Sequence, residues 1–259
     1  MEVRDYRYLD SAYESNQTFS IKKGQVMAGY TIGILLLDVW YPLLPGNVVN
    51  ACTYDYPVRH KLVPGADQMR MHSGDPTLLE ELIKAGHELE MEGVRAIVGA
   101  CGYFAHFQPQ MADAMNVPVY LSSLIQVPWI RTGLKSGQKI GVLCADKPSL
   151  TPGILRKAGV SDPEICIVAG LGDKPGFSAI LKSDRGCFDN EMVRKEVVQA
   201  AVQLVDEHPE IGVILLECSD MPPYSADVQA AVKLPVFDFI TMINWVHQSV
   251  AQKPYYGFL

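Results

Sequence analysis

The sequence predicts an α/β protein of two similar lobes, and three observations predict it. Strand-sized apolar runs alternate with segments of helical apolar spacing, the order that builds parallel sheets covered by helices. The strand runs are apolar almost throughout, as in Ile32–Leu37 and Val213–Leu216, which suits strands buried on both faces. The pattern also occurs twice: Thr31-Ile-Gly-Ile-Leu-Leu-Leu-Asp38 matches Lys139-Ile-Gly-Val-Leu-Cys-Ala-Asp146. Cys101 stands 17 residues before Pro118, and Cys218 stands 17 residues before Pro235. A chain of 259 residues is long for one core and comfortable for two lobes of roughly 110–130 each.

Residues 1–28 read as a polar N-terminal arm that wraps the surface or a partner subunit. Strand spacing then covers 31–37, and a Pro/Gly/Asn-rich loop leads to a second strand over 57–63. Asp75-Pro76 reads as an N-cap followed by proline at the first helical position, and Leu78, Leu79, Leu82, Ile83 and Leu89 carry a helical stripe to Gly93. A strand over 94–100 ends the set, with Cys101 at its tip. The second half follows the same order: strand 139–145, helix 150–158, strand 164–170, a loop over 171–189, helix 190–207 and strand 212–216, with Cys218 just beyond. Each lobe is therefore expected to be flavodoxin-like, with boundaries at 29–130 and 131–259. A last helix over 240–251 is expected to pack back on the first lobe.

Composition excludes several functions. Against 22 Lys and Arg stand 29 Asp and Glu, a formal charge of −7, and no basic run occurs; nucleic acid and anionic membrane surfaces are poor partners. The apolar runs fall far short of the roughly 20 residues that a membrane span needs, and the first residues lack a secretory apolar stretch. These features place the chain in the cytoplasm, where its six cysteines are free thiols. The cysteines form no CxxC pair and no metal-ligand spacing, and GxGxxG, P-loop and GxSxG patterns are lacking, so no metal or other cofactor is expected. Cys144 and Cys166 read as core, Cys52 and Cys187 as loop thiols.

Ligands of open α/β sheets bind beyond the carboxyl ends of the strands. Cys101 and Cys218 hold equivalent positions there, on opposite sides of one cleft. Two thiols facing one carbon suit proton removal by one and return by the other. A helix N-terminus after each cysteine favours negative charge, in the thiolate or in a bound carboxylate.

The motifs Ile-Val-Gly-Ala-Cys101-Gly-Tyr-Phe and Ile-Leu-Leu-Glu-Cys218-Ser-Asp-Met-Pro resemble those of the aspartate/glutamate racemase superfamily, over about residues 29–245. The resemblance implies a cofactor-independent enzyme acting on a small carboxylate, with Cys101 and Cys218 catalytic. Gly102 and Tyr103 replace the usual Asn and Thr; Ser219 keeps a hydroxyl, and Asp220 stands at a His/Glu position. Asp38 stands where glutamate racemases place an acidic partner of the first cysteine, although it equally reads as a turn cap. Asn47 in the loop after the first strand, and Ser122 and Ser123 at the end of a later one, complete the candidate substrate-binding set. The first expectation is an isomerase, a racemase or epimerase that inverts a carbon α to a carboxylate or carbonyl. Two alternatives stand beside it. One is a lyase or isomerase of the same superfamily, for which algal dimethylsulfoniopropionate lyases are the pattern; the other is a non-catalytic two-lobed carboxylate-binding protein. An assembly of identical chains is expected.

Overall fold

The computed structural model describes residues 23–181, 186–253 and 255–259; the expected arm falls largely outside them. Two four-stranded parallel sheets carry the chain. The first contains β1 (Ile32–Leu36), β2 (Val58–Leu62), β3 (Ala96–Gly99) and β4 (Val119–Tyr120) in the order β2-β1-β3-β4. The second contains β5 (Lys139–Cys144), β6 (Cys166–Gly170), β7 (Ile211–Leu216) and β8 (Val236–Phe237) in the order β6-β5-β7-β8. The order is identical when strands are matched one to one, so the repeated sequence is a repeated topology. The α/β class and the pair of parallel sheets agree with expectation.

The helices, which follow in chain order as α1 (Gln68–Ser73), α2 (Leu79–Met91), α3 (Gln108–Ala114), α4 (Val127–Thr132), α5 (Pro152–Lys157), α6 (Pro175–Leu181), α7 (Asn190–Glu207), α8 (Ser225–Val232) and α9 (Phe239–Val250), explain why the repeated glycines are there. Gly33 on β1 lies under Leu89 of α2 (Leu79–Met91), whose Cδ1 would come within 2.9 Å of any β-carbon at that position. Gly141 on β5 is pressed likewise by Ile214 and by Leu204 of α7 (Asn190–Glu207). In each sheet a glycine on the first strand lets neighbouring apolar side chains approach closely. Helix α2 buries Leu82, Ala85 and Leu89, and Gly93, at φ +88°, follows its end. The last helix, α9 (Phe239–Val250), starts from a capping box between Asp238 and Thr241. It lays Phe239, Met242, Ile243 and Val246 against Ile32, Ile34, Ala96 and Val98 of the first sheet. Each buried side chain of this size contributes roughly 1.5–3 kcal/mol, so the C-terminal helix straps the second half to the first.

Two expected elements differ. The helix expected over 150–158 is α5 (Pro152–Lys157), because Leu150 leaves helical backbone (ψ 69°) and Thr151 caps a fresh start. The expected loop 171–189 contains α6 (Pro175–Leu181). Its first amides, of Gly176 and Phe177, are bound by the Glu196 carboxylate of α7, 20 and 19 residues away. A helix start capped from elsewhere in the fold leaves no local signal. No described helix is long and apolar enough to cross a membrane.

Both cysteines stand two residues past a strand: Cys101 after β3 and Cys218 after β7. The matched topology thus sets the two thiols at the carboxyl ends of equivalent strands.

Candidate active site

Cys101 has extended backbone and opens a 3₁₀ turn over Gly102–Phe107. The amides of Tyr103 and Phe104 face its sulfur and favour a thiolate, as the first N–H groups of such a turn must. Burial opposes them. The residue is 8% exposed, and burial, followed by the charges of Glu217 and Asp220, pushes the thiol far above its usual range.

Cys218 is 7% exposed and is also pushed well above its usual range, by burial, Asp220 and Glu217 in that order. The two thiols belong to one cluster, since charge on Cys101 also makes Cys218 harder to ionise. Cys218 differs from Cys101 in having an acceptor for its proton: its S–H donates to Asp220 Oδ2 at 3.5 Å. Asp220 Oδ1 accepts from the Tyr41 hydroxyl at 2.8 Å and from Asn47 Nδ2 at 2.6 Å. Burial raises the Asp220 carboxyl, and these three donors pull it back toward the ionised form.

Tyr41 and Asn47 ride on the loop that leaves the first sheet after β1 and reaches across to the second. The loop is held in shape by its own side chains: Thr53 Oγ1 donates to the Asn47 carbonyl and accepts from Gly46 N, and Asn50 Oδ1 accepts from Cys52 N. Gly46, at φ +98°, lies so close to Pro223 that a β-carbon would fall 2.9 Å from the Pro223 Cα. The space left between the loop and the second lobe, lined by Tyr41, Asn47, Asp220 and Pro223, is about 10 Å³. That is roughly the minimum for one water molecule. The loop is thus held closed against the second lobe by the Tyr41 and Asn47 bonds to Asp220.

Glu217, the residue before Cys218, is 0% exposed, and neither carboxyl oxygen has a hydrogen-bond partner among the described residues. Its Oε1 occupies the place where residue 102 would carry a β-carbon. Gly102 is therefore glycine because the Glu217 carboxyl lies against the backbone that follows Cys101. Burial pushes that carboxyl up to about 8; the Ala145 amide acts in the opposite direction, and Asp146 adds a little to the rise.

The comparisons with known proteins divide into fold and family. A glutamate racemase from Bacillus anthracis superposes with TM-score 0.56 at 15% identity, covering 86% of this chain and 85% of that one. An unliganded arylmalonate decarboxylase superposes with TM-score 0.52 at 16% identity, covering 87% and 94%. Both likenesses show the shared two-lobed fold. No protein-family model matches the chain. Sequence relatives are nearer: a dimethylsulfoniopropionate lyase from Durusdinium sp. clade D is 33% identical over 234 residues, 88% of this chain and 77% of the relative. The chain belongs to the dimethylsulfoniopropionate lyase family. Dimethylsulfoniopropionate lyase 3 of Emiliania huxleyi (strain CCMP1516) is also 33% identical, over 88% of this chain, which spans 61% of that relative's length.

Membership in the lyase family corrects the expectation of an isomerase: the relatives at 33% identity are named lyases, whereas the glutamate racemase is a distant structural neighbour at 15% identity. The physical reason the sequence pointed the other way is that a pair of opposed thiols serves proton removal whether or not the proton returns.

Within this cluster, the expected residues separate into two groups. Cys101, Gly102, Cys218, Asp220 and Asn47 come together as described, and Ser219 is buried beside them with no side-chain bond among the described residues. The others are engaged elsewhere. Asp38 is exposed, and its Oδ2 accepts from Gly65 N at 3.2 Å, the turn-capping role. The Tyr103 hydroxyl bonds the backbone of Asp146, donating to its carbonyl at 2.6 Å and accepting from its N–H at 2.8 Å, and so joins the lobes. Ser122 caps Leu124 N, and Ser123 donates to the Leu216 and Glu217 carbonyls at the tip of β7. Tyr41 and Glu217 were missed. Glu217 left a readable trace, an acid directly after a buried apolar strand and directly before the cysteine; Tyr41 left none, since its partner lies 179 residues away. Among the described residues no group of three or more His, Cys, Asp or Glu could hold a metal ion.

Proposed function

We propose that the protein is a lyase that cleaves dimethylsulfoniopropionate by β-elimination, releasing dimethyl sulfide and acrylate. The observation that carries the reading is the buried Cys218–Asp220 pair, a thiol whose proton already has a carboxylate acceptor at 3.5 Å. Family membership supplies the substrate class.

The chemistry asks for one base and no acid, because the leaving sulfide departs neutral. Asp220 takes the Cys218 proton, and the thiolate removes a hydrogen from the carbon α to the carboxylate. The electron pair of that C–H bond becomes the double bond, the Cβ–S bond breaks, and its electron pair leaves with dimethyl sulfide. Negative charge grows on the substrate carboxylate as the α-proton departs. We assign the stabilisation of such charge to the Tyr103 amide beside Cys101, since the Phe104 N–H already donates to the Cys101 carbonyl at 3.1 Å. Net, one proton is released to solvent, which distinguishes elimination from inversion. A positively charged sulfonium also favours ionisation of thiols that burial keeps protonated.

Proton NMR of the purified protein with dimethylsulfoniopropionate tests this. Acrylate vinyl and dimethyl sulfide methyl signals are expected to grow in equal amounts. Substrate that stays intact, or that exchanges its α-hydrogens without cleaving, would overturn the proposal.

A further inference from the structure

Glu217 has no part in the reaction as written, yet it is the buried acid whose surroundings are least complete. Asp220 receives three donors, whereas both oxygens of Glu217 receive none among the described residues. A buried carboxyl without partners lowers stability unless a ligand compensates it. Its location is central: the carboxyl lies against Gly102, next to Cys101, and its own backbone leads into Cys218. The groups that act most strongly on Cys101, Cys218, Glu217 and Asp220 are thiols, carboxyls, the Tyr41 and Asn47 side chains and backbone amides; no Lys, Arg or His is among them. The cluster thus holds two carboxyl groups, and among the described residues no cation is one of the groups that act most strongly on it.

Resting on the lyase reading, we propose that Glu217 determines the charge of the accepted substrate: its partnerless carboxyl group supplies the negative charge that the positive end of a sulfonium zwitterion balances. The attraction acts through space and needs no contact, since unit charges separated by several ångströms still interact strongly in a protein interior. Burial holds Glu217 as the neutral acid at pH 7. The Ala145 amide favours its ionised form; Asp146 opposes it, and charge on Cys101, Cys218, Tyr103 or Cys144 would oppose it too. An arriving cation outweighs them, and the Glu217 proton passes to solvent as the cation binds. Asp220 is less suited to this role, because its charge is already shared among Tyr41, Asn47 and Cys218.

Calorimetry at pH 7 with two unreactive isosteres tests the assignment. 3-(Trimethylammonio)propionate and 4,4-dimethylpentanoate have the same shape and differ by one positive charge. The wild type is expected to bind the ammonium compound at least about tenfold more tightly, and Glu217→Gln to bind the two within about twofold. Only wild type with the ammonium compound should release a proton, seen as a binding enthalpy that depends on the buffer's ionisation enthalpy. Wild-type affinity of Glu217→Gln for the neutral isostere shows that the variant is folded; should it not fold, the proton release by wild type decides alone. A cation preference that survives in Glu217→Gln, or wild-type binding without proton release, overturns the assignment while cleavage of dimethylsulfoniopropionate continues. Absence of both cleavage and binding overturns the lyase reading itself.

Discussion

Replacing Glu217 by glutamine is expected to abolish most of the loss of stability that the wild-type chain undergoes between pH 4.5 and 8. Glu217 is 0% exposed and without a hydrogen-bond partner among the described residues, and its carboxyl is raised from 4.5 to about 8 by burial. Below pH 4.5 both folded and unfolded chains carry the proton, so ionisation makes no difference. As pH rises the unfolded chain ionises first while the folded chain keeps its proton, and stability falls by about 1.36 kcal/mol per pH unit. The fall ends near pH 8, where the folded state ionises too, after a total on the order of 5 kcal/mol. Glutamine cannot ionise and escapes the decline. Urea denaturation followed by circular dichroism across pH 4.5 to 9 measures it. The stability of Glu217→Gln relative to wild type should grow through this window and level off above it. Parallel curves from pH 4.5 to 8 would refute the reasoning, since they require a carboxylate already ionised in the folded protein.

Three further outcomes follow from the same geometry. Tyr41→Phe removes a hydrogen bond to the buried Asp220 carboxylate (2.8 Å), a loss of about 1.5–3 kcal/mol, so kcat/KM for sulfonium cleavage should fall roughly 10- to 100-fold. The same change loosens the closed loop, and iodoacetamide should alkylate Cys218 faster than in wild type. Gly102→Ala drives a methyl group into the Glu217 carboxyl and should lower unfolding free energy by about 1–3 kcal/mol. Adding Glu217→Ala should recover much of that loss, a coupling that a double-mutant cycle reads directly. Cys101→Ala leaves the Tyr103 and Phe104 amides in place and should retain more activity than loss of Cys218, with its larger effect on substrate binding.

The parts of the fold legible in the sequence are those fixed by local spacing. The Gly33 and Gly141 strands, the apolar stripe of α2 and the equal cysteine offsets follow from periodicity, and matched sheet orders are their three-dimensional form. Cys101 and Cys218 could be named because a strand tip is a definite position in an α/β sheet. Residues whose role depends on what the fold brings to them were harder. Asp38 and Asp220 look alike as acids near strand ends, yet one caps Gly65 at the surface and the other takes three donors in the interior. Ser122 and Ser123 stand at the correct edge, but their hydroxyls are engaged by nearby backbone. Helix α6 escaped for a related reason, since its cap comes from Glu196 on another helix. The reaction class was the least legible, because opposed thiols describe proton transfer and say nothing of a leaving group.

Headspace measurement of dimethyl sulfide from dimethylsulfoniopropionate, run side by side on wild type and Cys218→Ala, bears most directly on the assigned base. Wild type should yield one dimethyl sulfide per acrylate, and the variant should be slower by roughly 10²- to 10⁴-fold, the usual contribution of a positioned base. A folded Cys218→Ala chain that produces the gas at the wild-type rate would contradict the account.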